Sequence, residues 1–279
     1  MNNSIYPCLW FDGKAKEAFS FYCSVFKGSK ITYESPMVVF MDLMGKNLMG
    51  LNGGPKFTIN PSISLFVLLE TIDETNTVWN KLLGGGKVLM PIDKYFWSER
   101  YGWVQDKYGM TWQVSVVNKA GDPPSATPSM LFTGPQFGRA EEAIKLYTNL
   151  FPGSAADNII KYPDGDANTG KVMYAEFNLG GYKLIAMDGP GEHNYTFNEA
   201  VSISVQCNTQ GEIDHYWNSL TANGGAESMC GWLKDPFGVS WQIVPSVIGQ
   251  LMNDPVKGQR VMQAVMKMKK LVIEELVSA

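Results

Sequence analysis

The chain writes one segment twice. Residues 108–115 read YGMTWQVS and residues 237–244 read FGVSWQIV. The agreement extends upstream: GWVQDKYGMTWQ (102–113) matches GWLKDPFGVSWQ (231–242), sharing Gly102/Gly231, Trp103/Trp232, Asp106/Asp235, Gly109/Gly238, Trp112/Trp241 and Gln113/Gln242. AKEAFSFYCSVFKGS (15–29) matches AEEAIKLYTNLFPGS (140–154), and GKNLMGLNGG (45–54) echoes GYKLIAMDGP (181–190). Matches in the same order at a nearly constant offset are a duplication, so the fold has to be built from equivalent halves.

Each half reads as two smaller units. YPCLWF is a short apolar run, and 14–26 carries Ala18, Phe19, Tyr22 and Phe26 at helical spacing. MVVFMDL and NLMGLN are strands around the turn MGK. The order then restarts: SISLFVLLE as strand, DETNTVWNKLL as helix with Asp73 as its expected N-cap, GGG as its stop, and GWVQDKYGMTWQVSV as a hairpin turning at Asp106–Gly109. The second half repeats this with AVSISVQC, GEIDHYWNSLTAN, GGA and GWLKDPFGVSWQIV. The result is an α+β fold of four βαβββ modules. Two modules side by side are expected to form a curved sheet, helices outside, with alternate strand residues lining a hollow.

The expected division is a first domain over 1–118 (modules 1–55 and 61–118), a linker over 119–128, a second domain over 129–246 and a helical tail over 247–279. The stretch VNKAGDPPSATPS has linker composition, with no packed element expected. In the tail, Val261, Val265 and Met268 share one helical face, which suits packing across the sheet or onto a partner.

Composition narrows the partners. The net charge is −4 with no basic tract, which argues against nucleic acid. No stretch approaches the ~18 apolar residues of a membrane span. Cys8, Cys23, Cys207 and Cys230 lack paired spacing and read as reduced thiols of a cytoplasmic protein. A small molecule is the expected partner, and the chain is expected to be a monomer with paired domains or a homodimer.

LFTGPQFGRAEEAIKLYTNLFPGS, FNEAVSISVQCNTQGEIDHYWNSLTANGG, CGWLKDPFGVSWQIVP and VMQAVMKMKKLVIEELVSA resemble the PhnB-like branch of the vicinal oxygen chelate superfamily. That superfamily includes glyoxalase I, bleomycin-resistance proteins and extradiol dioxygenases, and the branch is often labelled 3-demethylubiquinone-9 3-methyltransferase. The likeness covers 129–279 with specific motifs. It is looser over the first half, where FWSERYGWVQDKYG is similar to the resistance proteins. The resemblance implies paired βαβββ modules and no single chemistry.

In the metal enzymes of that superfamily the ligands are typically His near the start of the first strand, a second His or equivalent on the strand opening the next module, and Glu on the last strand. Here the last-strand position holds Gln113 and Gln242. Pro7 and Cys8, or Ser129 and Met130, stand around the first-strand position, and Ser62 and Ser64, or Ser202 and Ser204, around the module-opening one. A neutral amide is a poor ligand for a hard divalent ion. The two histidines, His193 in a Gly-rich loop and His215 on a helix, lie elsewhere. No metal or other cofactor is therefore expected. Each glutamine has two readings, an internally bonded strand amide or a group that orients a ligand.

Trp103 and Trp232 precede the hairpin turns; such regular tryptophans usually fill cores, although parity puts Trp103 and Gln105 on one strand face. Phe96, Trp97 and Tyr101 lie in an insert that the second half lacks, and read either as a packed lid or as a ligand-contacting rim. Asp106 and Asp235 read as turn formers. Cys230 has no nearby cation in sequence to activate it, and Cys8 stands beside a lost ligand position. Glu176 lies on a strand of the second half, with Phe40 as its counterpart. DGDANTG (164–170) alternates acidic residues but puts Thr169 and Ala175 where an EF-hand needs Gly and Glu. LGGGK lacks phosphate-loop spacing, and there is no G-x-S-x-G elbow. No Gly-rich strand-to-helix turn for S-adenosylmethionine occurs, so the sequence does not support the methyltransferase label.

The expected function is metal-free sequestration or sensing of a small aromatic or antibiotic-like ligand, with Cys8, Trp97, Tyr101, Trp103, Gln113, Glu176, Cys230, Trp232 and Gln242 as contacts and no catalytic residue. The rivals are a metal-assisted enzyme of glyoxalase or dioxygenase type using Glu176, His193 and Cys230, and a non-catalytic interaction module.

Overall fold

Strand alternation gives each sheet two unlike faces. In β1 (Ile5–Phe11), Ile5, Leu9 and Phe11 join the large core under the helices, while Tyr6 and Cys8 belong to a separate cluster on the opposite face. The computed structural model describes residues 4–117 and 123–279. The first module continues with α1 (Ala15–Val25), β2 (Lys30–Glu34), β3 (Val38–Leu43) and β4 (Lys46–Asn52). The second comprises β5 (Ile63–Leu69), α2 (Ile72–Leu83), β6 (Lys87–Tyr95), β7 (Ser98–Gln105) and β8 (Thr111–Val116). The third comprises β9 (Ser125–Phe132), α3 (Ala140–Leu150), β10 (Ala155–Lys161), β11 (Val172–Leu179) and β12 (Tyr182–Asp188). The fourth comprises β13 (Val201–Cys207), α4 (Gln210–Thr221), β14 (Ala226–Glu227), β15 (Trp232–Lys234) and β16 (Ser240–Pro245). The tail adds α5 (Ile248–Met252), α6 (Gly258–Val265) and α7 (Ile273–Ser278).

Two eight-stranded sheets result, and neither is made from one half of the chain. The first runs β14-β15-β16-β13-β1-β4-β3-β2, and the second β10-β11-β12-β9-β5-β8-β7-β6. The outer modules thus share one sheet and the inner modules the other. They join antiparallel, Cys8 opposite Ser202 and Ser64 opposite Ser129. The expectation that modules 1–55 and 61–118 share a hollow, and likewise the two modules of 129–246, is corrected here.

The reason lies in how consecutive modules pack. Tyr22 and Phe26, from α1 and its end, lie against Trp112 on β8 of the other sheet, with ring centroids 4.8 and 4.9 Å apart. In the second half, Tyr147 and Phe151 lie against Trp241 on β16 in the same way, at 5.2 and 5.8 Å. Neighbouring modules therefore meet through their helix-covered backs, and each leaves its opening strand to pair with a module from the other half. The opening strands SISL (62–65) and SISV (202–205) are nearly identical, so sequence alone gives β1 no preference between them.

Two local expectations also change. The N-cap of α2 is Thr71 and not Asp73: its backbone is extended and its Oγ1 accepts from the Glu74 N–H at 3.1 Å. Thr209 caps α4 identically, at 3.2 Å from the Glu212 N–H. Asp73 sits inside the first turn, where a carboxylate complements the helix dipole. Of the expected linker, 119–122 lies outside the described residues, but Ser125–Pro128 is strand, added to β5 with Leu65 opposite Pro128 and Leu68 opposite Ser125. Backbone pairing overrides its loop-like composition.

The tail packs as its apolar face suggests. Val261, Val265, Leu271 and Leu276 form a cluster with Val244 of β16, and Cys230 and Met268 pack against it. Cys230 and Gly231 both adopt left-handed backbone, φ 63° and 82°, and their N–H groups donate to Met268 O and Lys269 O at 2.7 and 2.8 Å. A side chain at Gly231 would meet Ile243 O at 2.8 Å. The family-like CGW segment thus moors the tail.

Candidate functional site

The concave faces are assigned by parity and by side chains that cross them. Phe66 on β5 and Tyr174 on β11 are three strand spacings apart, about 14 Å along a flat sheet. Their ring centroids lie 6.4 Å apart, and Phe66 also meets Tyr101 on β7 at 6.1 Å. In the first sheet Trp10 on β1 and Trp232 on β15, likewise three spacings apart, approach to 5.9 Å. Both sheets are therefore strongly curved, and these rings meet across the concave face, or hollow, of each.

The exchange of modules redistributes the candidate residues. Cys8, Cys230, Trp232 and Gln242 belong to the first sheet; Trp97, Tyr101, Trp103, Gln113 and Glu176 gather on or beside the second. Cys8 therefore sits with Gln242 instead of Gln113, and Glu176 with Gln113 instead of Gln242.

The floor of the second hollow is a closed knot around Gln113. Its Nε2 donates to Ser64 Oγ at 2.8 Å and Ser129 Oγ at 3.3 Å, and its Oε1 accepts from Tyr101 Oη at 2.8 Å. Gln113 is only 4% exposed. Burial pushes the Tyr101 hydroxyl upward, with the neighbouring Tyr95 adding to the effect, so the phenol stays a donor. Of its two sequence readings, the internally bonded amide is the one with visible partners.

Around that floor stands an aromatic wall. Tyr95 and Trp97 stack at 4.8 Å, and both meet Tyr101 edge-on, at 5.7 and 5.6 Å. Trp97 is half-exposed, and Phe96 at the hairpin tip is 86% exposed and rests on Trp97 at 4.6 Å. The insert therefore packs on itself through Tyr95, Trp97 and Tyr101 and leaves Phe96 exposed at its tip. Trp103 lies opposite Gln113 on β7, facing the hollow and not the helix-side core, where Trp112 sits. Its indole Nε1 is buried with no hydrogen-bond partner among the described residues. Thr111, on the same face of β8 two residues before Gln113, is 0% exposed and its Oγ1 is also unpartnered. Across the hollow, Glu176 Oε1 accepts a 2.6 Å hydrogen bond from Tyr174 Oη. Burial first, and that bond second, push the Tyr174 hydroxyl well above its ordinary range.

The first hollow follows the same plan with different groups. Gln242 Nε2 donates to Ser202 Oγ at 2.9 Å, and the Cys8 thiol lies beside both. Burial pushes that thiol up to about 12, so it stays protonated. Tyr6, Cys8 and Met49 form an apolar patch flanked by Val38, Phe40 and Leu51. Phe40, opposite Met49, occupies the place that Glu176, opposite Ile185, holds in the second sheet. The tail crosses this hollow: it is moored at Cys230 and Gly231 near one edge, and Asn253 Oδ1 accepts from Tyr33 Oη on β2 at the other, at 2.8 Å. Burial raises the Cys230 thiol as well, and its Sγ lies 3.7 Å from Met266 Sδ.

The donors do not fit a divalent cation. At the positions where related metal enzymes carry His and Glu stand Ser129, Ser64 and Gln113 in one hollow and Cys8, Ser202 and Gln242 in the other. Glu176 lies on β11 of the second sheet and Cys230 in the β14–β15 connection beside the first, while His193 sits in an exposed loop with Nε2 3.1 Å from Pro190 O. Among the described residues no group of three or more His, Cys, Asp or Glu side chains is placed to hold a metal.

Reading by residue type missed the repeated hydroxyl. Ser240 holds the place of Thr111 before Gln242, and its Oγ is also buried and unpartnered. The signal was present as TWQ and SWQ: alternation sends Trp112 and Trp241 to the core and both flanking polar residues to the hollow.

Comparison with known proteins bears on the whole chain. A family model described as 3-demethylubiquinone-9 3-methyltransferase matches residues 3–115 and 124–244. A PhnB protein from Bacillus cereus with the same description is 35% identical, covering 39% of this chain and 96% of that one, with a TM-score of 0.37. Glyoxalase I from Zea mays is 14% identical over 87% of this chain and 93% of its own, with a TM-score of 0.58. A Bacillus subtilis protein described as a dioxygenase is 10% identical over 96% and 91%, with a TM-score of 0.51. At these identities the last two show the fold alone. No curated protein matches. No helix among the described residues is long and apolar enough to cross a membrane. Two matched copies on a four-module fold lead to one conclusion: the chain belongs to the 3-demethylubiquinone-9 3-methyltransferase family, the PhnB-like branch of the vicinal oxygen chelate superfamily, and carries that domain twice.

Proposed function

We propose that the protein binds a small organic molecule directly on side chains, without a metal ion, and that the second hollow is the site. The observation that carries this reading is the buried, unpartnered Trp103 Nε1 on the same sheet as the Tyr101–Phe66–Tyr174 rings, where the first sheet's unpartnered groups among the described residues are the hydroxyls of Ser204 and Ser240. A buried polar group without a partner costs free energy, and a ligand that satisfies it recovers that cost. Aromatic walls with a few fixed polar groups are the usual composition of small-molecule sites. The first hollow is the weaker candidate because the chain's own tail crosses it.

This role is sequestration or sensing, and the Gln113 knot serves as a rigid neutral floor. A thermal-shift screen of small aryl compounds tests it, with each hit repeated on Phe66→Ala. Hits that raise the wild-type midpoint and lose their effect in the variant are expected. A flat response across a broad library, or hits indifferent to Phe66→Ala, contradict the assignment.

A further inference from the structure

The two hollows differ most at one position. Phe40 in the first is replaced by Glu176 in the second, where it lies opposite Ile185 on β12 and Asn158 on β10. Glu176 is partly buried on the concave face of β11, and its described hydrogen bond comes from the neutral Tyr174 hydroxyl at 2.6 Å. No Lys or Arg forms an ion pair with it among the described residues, whereas Glu141, Glu142, Glu199 and Glu227 each have one. A half-buried acidic side chain held by one phenol is left without an ion-pair partner among the described residues. The Tyr174 ring beside it, in contact with Phe66, reinforces the same preference, because aromatic quadrupoles attract cations.

On the β7–β8 side the chemistry is different. The indole Nε1 of Trp103 can only donate, and it is buried without a partner; the Thr111 hydroxyl beside it can donate or accept. The hollow thus asks for positive charge on its β11 side and for an acceptor oxygen on its β7–β8 side, with Phe66 lying between them.

Resting on the reading of the second hollow as the binding site, we propose that its ligand is an aryl ammonium compound: a cationic nitrogen against Glu176, an aromatic body on Phe66, Tyr101 and Tyr174, and an acceptor oxygen toward Trp103. Charge selection at Glu176 is a property of this hollow alone, since Phe40 provides none in the first.

The test uses three probes of similar size that differ in charge: phenethylamine, cationic at neutral pH, 2-phenylethanol and phenylacetate. Binding is followed by tryptophan emission and ligand-observed NMR on the full chain. Phenethylamine is expected to bind about tenfold more tightly than the alcohol, with phenylacetate weakest. Glu176→Gln, which keeps an acceptor for Tyr174, is expected to bring the amine to the alcohol's affinity, leaving the alcohol's affinity and the thermal midpoint unchanged. Equal binding of all three probes, or an amine preference that survives Glu176→Gln, overturns the charge assignment while leaving the hollow as the site. No response to any probe from folded protein overturns the site itself.

Discussion

Tyr147 on α3 donates a 2.5 Å hydrogen bond to Oδ2 of Asp235, a carboxylate in the β15–β16 turn of the other sheet. Trp241 Nε1 donates to the same oxygen at 2.9 Å, and the N–H groups of Phe237 and Val239 reach Oδ1 at 2.9 and 3.0 Å. Asp106 repeats the arrangement with Trp112, Tyr108 and Met110, and with Tyr22 facing it. The two aspartates expected as turn formers are that, and Asp235 also ties its turn to α3 at the back of the other sheet.

Burial outweighs those four donors and raises Asp235 from 3.8 to about 6. A carboxyl whose folded pKa lies above its unfolded one contributes its full stability below the unfolded value and loses it as pH rises through the folded value. The loss levels off at about 3 kcal/mol once the group is ionised. Asp106 is raised too and acts in the same direction. Denaturant midpoints are therefore expected to carry a component that falls between pH 4 and pH 6 or so, and Asp235→Asn is expected to shrink it. A variant whose midpoint declines as steeply as the wild type's would contradict this.

Thr71→Ala removes the side-chain acceptor for the Glu74 N–H and is expected to cost about 1 kcal/mol in equilibrium unfolding. Asp73→Ala, which leaves the cap in place, is expected to cost less. The reverse ranking would restore the sequence-based assignment of the cap.

Leu271 is 0% exposed in the cluster that holds the tail against β16 and Cys230. Leu271→Ala is expected to cost about 3 kcal/mol. Hydrogen exchange is expected to show faster exchange at the Cys230 and Gly231 amides, which donate to the neighbouring Met268 and Lys269 carbonyls. Unchanged protection there would mean the tail is held by other contacts.

Gln113→Glu puts a carboxylate where related metal enzymes carry one. The remaining positions still offer only Ser64 and Ser129, so less than one equivalent of bound metal is expected by elemental analysis of untagged protein. One equivalent acquired by this single change would show that the hollow is poised for metal after all.

Much of the fold was legible because its signals are local. The TWQ/SWQ repeat, the helical spacing of Ala18, Phe19 and Tyr22, and the Gly-rich stops each act over a few residues, and the four modules follow from them. Which modules share a sheet was not legible, because β1 can read either SISL or SISV as its partner, and the choice is made by Tyr22, Phe26 and Trp112 packing across the backs. That same pairing sent Glu176 to the sheet of Gln113 and Cys8 to the sheet of Gln242. Trp103 was read mainly as core, since periodicity does not say which face of a two-faced sheet a helix covers.

Calorimetric titration of a confirmed aryl ligand, with and without a strong chelator, tests most directly whether the second hollow grips its ligand through side chains alone. The expected result is one site per chain with the same affinity in both buffers, weakened at least about tenfold by Phe66→Ala. Affinity that vanishes in chelator and returns on adding manganese, zinc, nickel or iron would contradict the account.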